Sequence, residues 1–151
     1  MRTGVVAHLF YGPRVLLVLR DNLPHIHCPN TWDSITETLE PEGAGDLVAG
    51  MRRGLLEEIG IVPENLHFLG LTRQSGHGFF FGTLSDNEVE EIVLGHEGQR
   101  YDFFLLEELE KLLLGDAIRN YYQAYPEVFQ KMTRGVVPKP EELRLQVPIK
   151  A

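Results

Sequence analysis

Apolar residues along this chain fall into two periods, and the switch between them outlines the fold. Two dense apolar runs come first. Val5 to Phe10 and Arg14 to Arg20, the second holding Val15-Leu16-Leu17-Val18-Leu19, read as strands, because short apolar runs bounded by turn residues suit a buried sheet. Gly12-Pro13 between them is a turn that pairs the two. Residues 21–31, with Pro24, Pro29 and Asn30, read as loop, and Trp32 to Leu39 alternates loosely as a further short strand. Then the period lengthens. Leu47, Met51, Leu55 and Ile59 recur every fourth residue and give a helix a core face. Asp46 is its N-cap and Gly60 its C-terminal cap. Leu66 to Thr72, Phe79 to Leu84 and Arg100 to Leu105 return to strand patterning. Leu106 to Leu114 and Asp116 to about Phe129 read as helices with Gly115 between them, and the tail, with Pro138, Pro140 and Pro148, as irregular or an edge segment. Strands interleaved with few helices predict a mixed sheet with helices on its faces. No repeat or linker divides the 151 residues, which suggests a single domain over 1–151.

Charge and composition narrow the function classes. The net charge of −8 argues against a nonspecific nucleic-acid binder, which needs a basic face. It leaves room for a nucleotide, provided divalent cations stand between acidic site and phosphate. No apolar run approaches the ~20 residues of a membrane helix. The N-terminal run is too short for a signal peptide's apolar region, and a single cysteine, Cys28, excludes an internal disulfide. These features point to the cytoplasm, with no membrane partner.

The candidate chemistry lies in Arg53-Gly-Leu-Leu-Glu-Glu-Ile-Gly-Ile61. Glu57 and Glu58 occupy the last turn of the central helix, and Arg53, four residues before Glu57, shares its face. Adjacent carboxylates raise each other's proton affinity. A hard cation such as magnesium relieves the repulsion. Glutamate pairs at helix ends are nevertheless common, and most are solvated surface. Context favours more here. Gly50 and Gly54 lie four apart on one face, each costing ~1 kcal/mol against alanine, which suggests close backbone approach.

The segment resembles the end of the Nudix box, Arg-Glu-apolar-x-Glu-Glu-x-Gly-apolar, at Arg53, Leu55, Glu57, Glu58, Gly60 and Ile61. The resemblance extends over about residues 3–112. It takes in the Val-Leu-Leu-Val-Leu-Arg strand, Trp32-Asp33, and the later run His96-Glu97-Gly98-Gln99, Phe103-Phe104 and Leu106-Glu107-Glu108-Leu109. It implies a Nudix (MutT-like) α/β/α sandwich with a mixed β-sheet. Glu97 matches a loop glutamate that serves in some members as a further metal ligand or as general base; its plainer reading is a turn glutamate between Gly95 and Gly98. The sequence departs from the pattern in its upstream half. Gly54 stands where the family has its first box glutamate. The upstream glycine pair is missing, its first position falling on Leu39 and the upstream glutamate on Gly45, with Glu42 able to take that glutamate's place through a small insertion.

Other candidates carry less. His25-Ile-His27-Cys28 could be a cluster of imidazoles and a thiol if the segment is extended, but a complete site needs a fourth ligand; a loop over the pocket is the simpler reading. Phe79-Phe80-Phe81 could stack a base, yet it reads first as a strand buried on both faces. Tyr121, Tyr122, Tyr125 and Phe129 have helical spacing and read as packing. Gly76-His77-Gly78 is a bend without the context of a phosphate loop.

The expected function is a hydrolase dependent on Mg2+ (or Mn2+) that cleaves the diphosphate linkage of a nucleoside diphosphate derivative or a nucleoside triphosphate. Glu57, Glu58 and Glu97 would hold metal, and Arg53, Glu57 and Glu97 would be catalytic. A catalytically impaired Nudix-fold module that binds a nucleotide or a protein is the alternative, favoured by Gly54. A metal-free α/β domain with an accidental match is the third reading. Substrate identity is not legible, and one chain leaves open whether the protein forms a homodimer.

Overall fold

The computed structural model describes residues 3–39 and 46–148. Among these residues seven strands form one mixed sheet: β1 (Thr3–Tyr11), β2 (Arg14–Leu19), β3 (Trp32–Asp33), β4 (Ile35–Leu39), β5 (Asn65–Leu71), β6 (Gly78–Thr83) and β7 (Arg100–Leu105). The hairpin β1–β2 stays paired only next to its turn, at Phe10 with Val15 and Tyr11 with Arg14. Beyond that the strands part. β4 takes the place beside β1, antiparallel over Thr3 to Ala7, while β3 pairs with the far end of β2. Trp32 to Leu39 is therefore not one strand. It crosses from β2 to β1 at Ser34, whose hydroxyl shares a 2.6 Å hydrogen bond with Nδ1 of the buried His8 on β1. β6 runs parallel to β1, β5 antiparallel to β6, and β7 antiparallel to β2.

Helix α1 (Leu47–Ile59) has the predicted bounds and caps. Asp46 accepts a 3.0 Å bond from the Ala49 N–H, and Gly60, at φ 75°, donates to the Leu55 and Leu56 carbonyls. Its buried side packs on one face of the sheet, where Met51, Leu55 and Ile59 meet Val5, Ala7, Leu9, Leu16, Ile35 and Phe80. On the other face, α3 (Asp116–Ala124) and α4 (Pro126–Met132) cover Val6, Phe10, Val15, Leu17, Phe79 and Phe81. The result is the expected α/β/α sandwich. Phe79, Phe80 and Phe81 point alternately into the two cores, each at most 1% exposed, and Tyr121, Tyr122 and Tyr125 pack against the second.

The expected helix from Asp116 to Phe129 is two helices that break at Tyr125. Tyr125 precedes Pro126, and the residue before a proline is pushed out of the helical region. Leu106–Lys111 is a single run of 3-10 helix, shorter than expected. A short helix α2 (Asp86–Glu91) was not foreseen. Ser85 and Glu88 close a reciprocal capping box at its start, a signature present in the sequence. The tail bonds its Gln146 to the edge of β5 at Leu71, with a 3-10 turn at Pro140–Leu143.

Candidate functional site

The two glycines of α1 set where the helix sits. A Cβ on Gly50 would fall 2.7 Å from Leu39 Cδ2, and one on Gly54 3.1 Å from Glu37 Oε2. The close approach expected from these glycines is therefore against β4. Ile35, Glu37 and Leu39 alternate with Thr36 and Thr38 along that strand, and Ile35 and Leu39 are buried against α1. Glu37 shares their parity, so its half-buried side chain is also directed at the helix.

A second segment closes on the other end of α1. The Val93 N–H donates to the Ile59 carbonyl at 3.0 Å and the Gly95 N–H to the Glu58 carbonyl at 2.9 Å. A Cβ on Gly95 would overlap the Glu57 carbonyl oxygen at 2.0 Å, so only glycine permits this approach. The loop then turns at Gly98, φ 92°, whose N–H bonds Asp21. Glu97 is thereby delivered next to the helix end.

Of the expected residues, Glu57, Glu58 and Glu97 thus gather with Glu37. Burial first, then the charges of Glu37 and Glu97, push the Glu58 carboxyl up to about 8, against the opposing charge of Arg20. Burial, then Glu57 and Glu97, also raise Glu37, opposed by Arg53. Arg53 is exposed and makes no ion pair with a described residue, and its resolved influence falls on Glu37. Glu42 and Gly45 lie outside the described residues. Two residues escaped the sequence reading. Glu37 was signalled by its parity, an acid between two core residues of one strand. Arg20 had only its place at the end of β2.

The donor set fits a divalent cation. It is all oxygen, it carries excess negative charge, and Oε2 of Glu58 is fully buried without a hydrogen-bond partner among the described residues, a state costly for any polar atom left uncompensated. A cavity of about 470 Å³ borders the group on one side, lined by Arg20, His25, Glu58 and Glu97. A larger one of about 720 Å³ is lined by Glu37, with Arg73, His77 and Tyr121 in its wall. Thr36 lines both.

Residues 21–31 do form a loop over the smaller cavity. They run through turns, with Cys28 and Asn30 at positive φ, and not as the extended segment that would align His25 with His27. His27 instead bonds Asp116 at 2.5 Å, and Asp116 also pairs with Arg119, which fastens the loop to the start of α3. The ligand atoms of His27, Cys28 and Asp116 lie within 4.8 Å of one another.

A mixed sheet between helical layers, with carboxylates gathered at the end of one helix, defines an α/β/α sandwich whose acidic site suits a divalent cation. The chain belongs to the NUDIX family: the NUDIX domain model matches residues 1–127. Among curated proteins, none matches the sequence. Similar solved structures include the MutT protein from Methanosarcina mazei Go1, at 19% identity and TM-score 0.62, covering 84% of this chain and 94% of that one. The NUDIX domain of Shewanella oneidensis NrtR, complexed with ADP ribose, has 19% identity and TM-score 0.61, covering 83% and 87%. The C-terminal domain of mouse MUTYH, in complex with human PCNA, has 17% identity and TM-score 0.59, covering 85% and 89%. At these identities the likeness is one of fold. Hydrolases of the family generally use a divalent metal. No helix among the described residues is long and apolar enough to cross a membrane.

Proposed function

We propose that the protein is a Mg2+- or Mn2+-dependent hydrolase that splits the diphosphate linkage of a nucleoside diphosphate joined to a second group. The observation that carries this reading is the convergence of Glu57, Glu58 and Glu97 from helix and loop, around a buried Glu58 oxygen that has no partner among the described residues. Glu57, Glu58 and Glu97 would hold the cation. A bound divalent cation would offset their repulsion and the charge that develops on the phosphates. Glu97, approaching from a separate loop, would take the proton of the attacking water. A bond forms from the water oxygen to one phosphorus, the bridging P–O bond breaks, and the bridging oxygen leaves with the other phosphate. Arg53, exposed beside the acids and unpaired among described residues, would orient Glu57 and hold a phosphate oxygen.

Two cavities that share Thr36, one lined by Glu58 and Glu97 and the other by Glu37, favour a substrate with an arm on each end of its diphosphate over a triphosphate that extends one way. The ADP ribose bound by the NrtR domain has that form. A screen of nucleoside diphosphate and triphosphate derivatives for phosphate-containing products, with magnesium and with chelator, tests the reading. Cation-dependent cleavage of a two-armed diphosphate is the expected result. Gly54 supports a second reading, a module that binds a nucleotide or a protein without cleaving it, and the MUTYH domain's complex with PCNA offers a fold precedent for a protein partner. Tight nucleotide binding without any product would favour it.

A further inference from the structure

The gap in the box and the acid on β4 meet in space. A side chain at residue 54 would begin 3.1 Å from Oε2 of Glu37 and 3.2 Å from its Cβ and Cγ. The volume that a glutamate at 54 would enter is thus already taken by a glutamate from the neighbouring strand. The strand has no structural need for an acid there. Its flanking residues on that face, Ile35 and Leu39, are 1% exposed and pack on α1. An apolar side chain would fit this pattern without placing a charge beside Glu57 and Glu58. Glu37 makes no ion pair with a described residue that would offset the cost. Resting on the hydrolase reading above, we propose that Glu37 supplies to the divalent-cation site the carboxylate that Gly54 lacks.

The two positions are then one unit. Glycine at 54 is what admits Glu37, and Glu37 is what makes the loss at 54 tolerable. On this reading a glutamate restored at 54 does not strengthen the site. The added chain would meet Glu37 before it reached the cation.

Mn2+ binding by the protein alone, followed by titration calorimetry and by the electron paramagnetic resonance signal of free Mn2+, tests this without turnover. Glu37→Gln preserves shape and should weaken Mn2+ binding by about tenfold or more, the scale on which lost metal-site contacts act. Gly54→Glu alone should bring no gain. Glu37→Ala/Gly54→Glu should return affinity to within a few-fold of the parent. Wild-type affinity in Glu37→Gln, tighter binding in Gly54→Glu, or a folded double variant with no recovery would each overturn the exchange. Glu57→Gln/Glu58→Gln separates the two levels. If it lowers Mn2+ affinity while Glu37→Gln does not, only the role of Glu37 falls. If neither variant changes affinity, the metal-site reading falls with it.

Discussion

Each face of the sheet buries an ionisable side chain with an unpartnered atom, and the two are treated in opposite ways. His8 points from β1 into the core under α3 and α4. The rings of Phe79, Tyr121 and Phe129 lie 5.0–5.5 Å from it, Ser34 bonds one nitrogen, and Nε2 has no partner among the described residues. Glu58 lies at the end of α1 on the other face, near Glu37, Glu57 and Glu97. Burial is the leading cause of both shifts, and in both it favours the neutral form. The surroundings differ. Aromatic rings accept a neutral imidazole and ask nothing further of it. Like charges make the carboxylate group hard to hold together unless protons or cations enter. Burial by itself therefore marks a constrained group. Like-charged neighbours beside a cavity mark a site.

The comparison breaks if the two faces respond alike to substitution. Glu97→Gln should lower single-turnover hydrolysis about 10²–10⁴-fold, the range for a lost general base. Substrate affinity should stay within a few-fold, and urea unfolding should shift by less than about 0.5 kcal/mol, as for other exposed positions. A parental rate would move the base to another carboxylate. Phe129→Ala should do the reverse. Phe129 is 0% exposed and meets the rings of Phe10, His8 and Tyr122 edge to face, so its loss should cost about 3–5 kcal/mol of stability. The rate per folded molecule should hold within a few-fold. A large loss of turnover in fully folded Phe129→Ala would mean that the aromatic face also serves the chemistry.

What the sequence made legible was local. The four-residue period from Leu47 to Ile59, with Asp46 and Gly60 at its ends, specifies α1 through short-range caps and one amphipathic face. The capping box at Ser85 and the break before Pro126 are equally local signals. The box glutamates could be identified because neighbours on a helix stay neighbours in space. The crossing at Ser34 could not, since it depends on which strand each half of Trp32 to Leu39 pairs with. Glu37 and Gly54 are brought together by the same long-range packing. The parity of Ile35, Glu37 and Leu39 hinted at an inward acid, though nothing in the spacing said which helix it would meet.

The smallest expected effect also separates the faces most directly, because the two groups give stability opposite pH slopes. The His8 pKa is lowered to about 3 from 6.5. Above 6.5 the folded and unfolded imidazoles are both neutral. Between 6.5 and 3 the unfolded chain takes up a proton that the folded one refuses, so stability falls as pH falls, by up to ~1.4 kcal/mol per pH unit. The Glu58 pKa is raised to about 8 from 4.5. Below 4.5 both states are protonated and the contribution is whole. From 4.5 to 8 the unfolded chain releases a proton that the folded one keeps, and stability falls as pH rises, with the same limiting slope. In chelator, unfolding free energy should therefore have a maximum where the two limbs meet, between about pH 4.5 and 6.5 on these values. His8→Gln should flatten the acid limb alone, and Glu58→Gln the alkaline limb alone. Saturating Mg2+ should also lift the alkaline limb, since a cation takes the place of the proton among the carboxylates, and leave the acid limb unchanged. Urea titrations at half-unit pH steps, with and without Mg2+, resolve all four cases. An alkaline limb that neither Mg2+ nor Glu58→Gln alters would mean that the acids on α1 bear no more on this protein's stability than any solvated helix end.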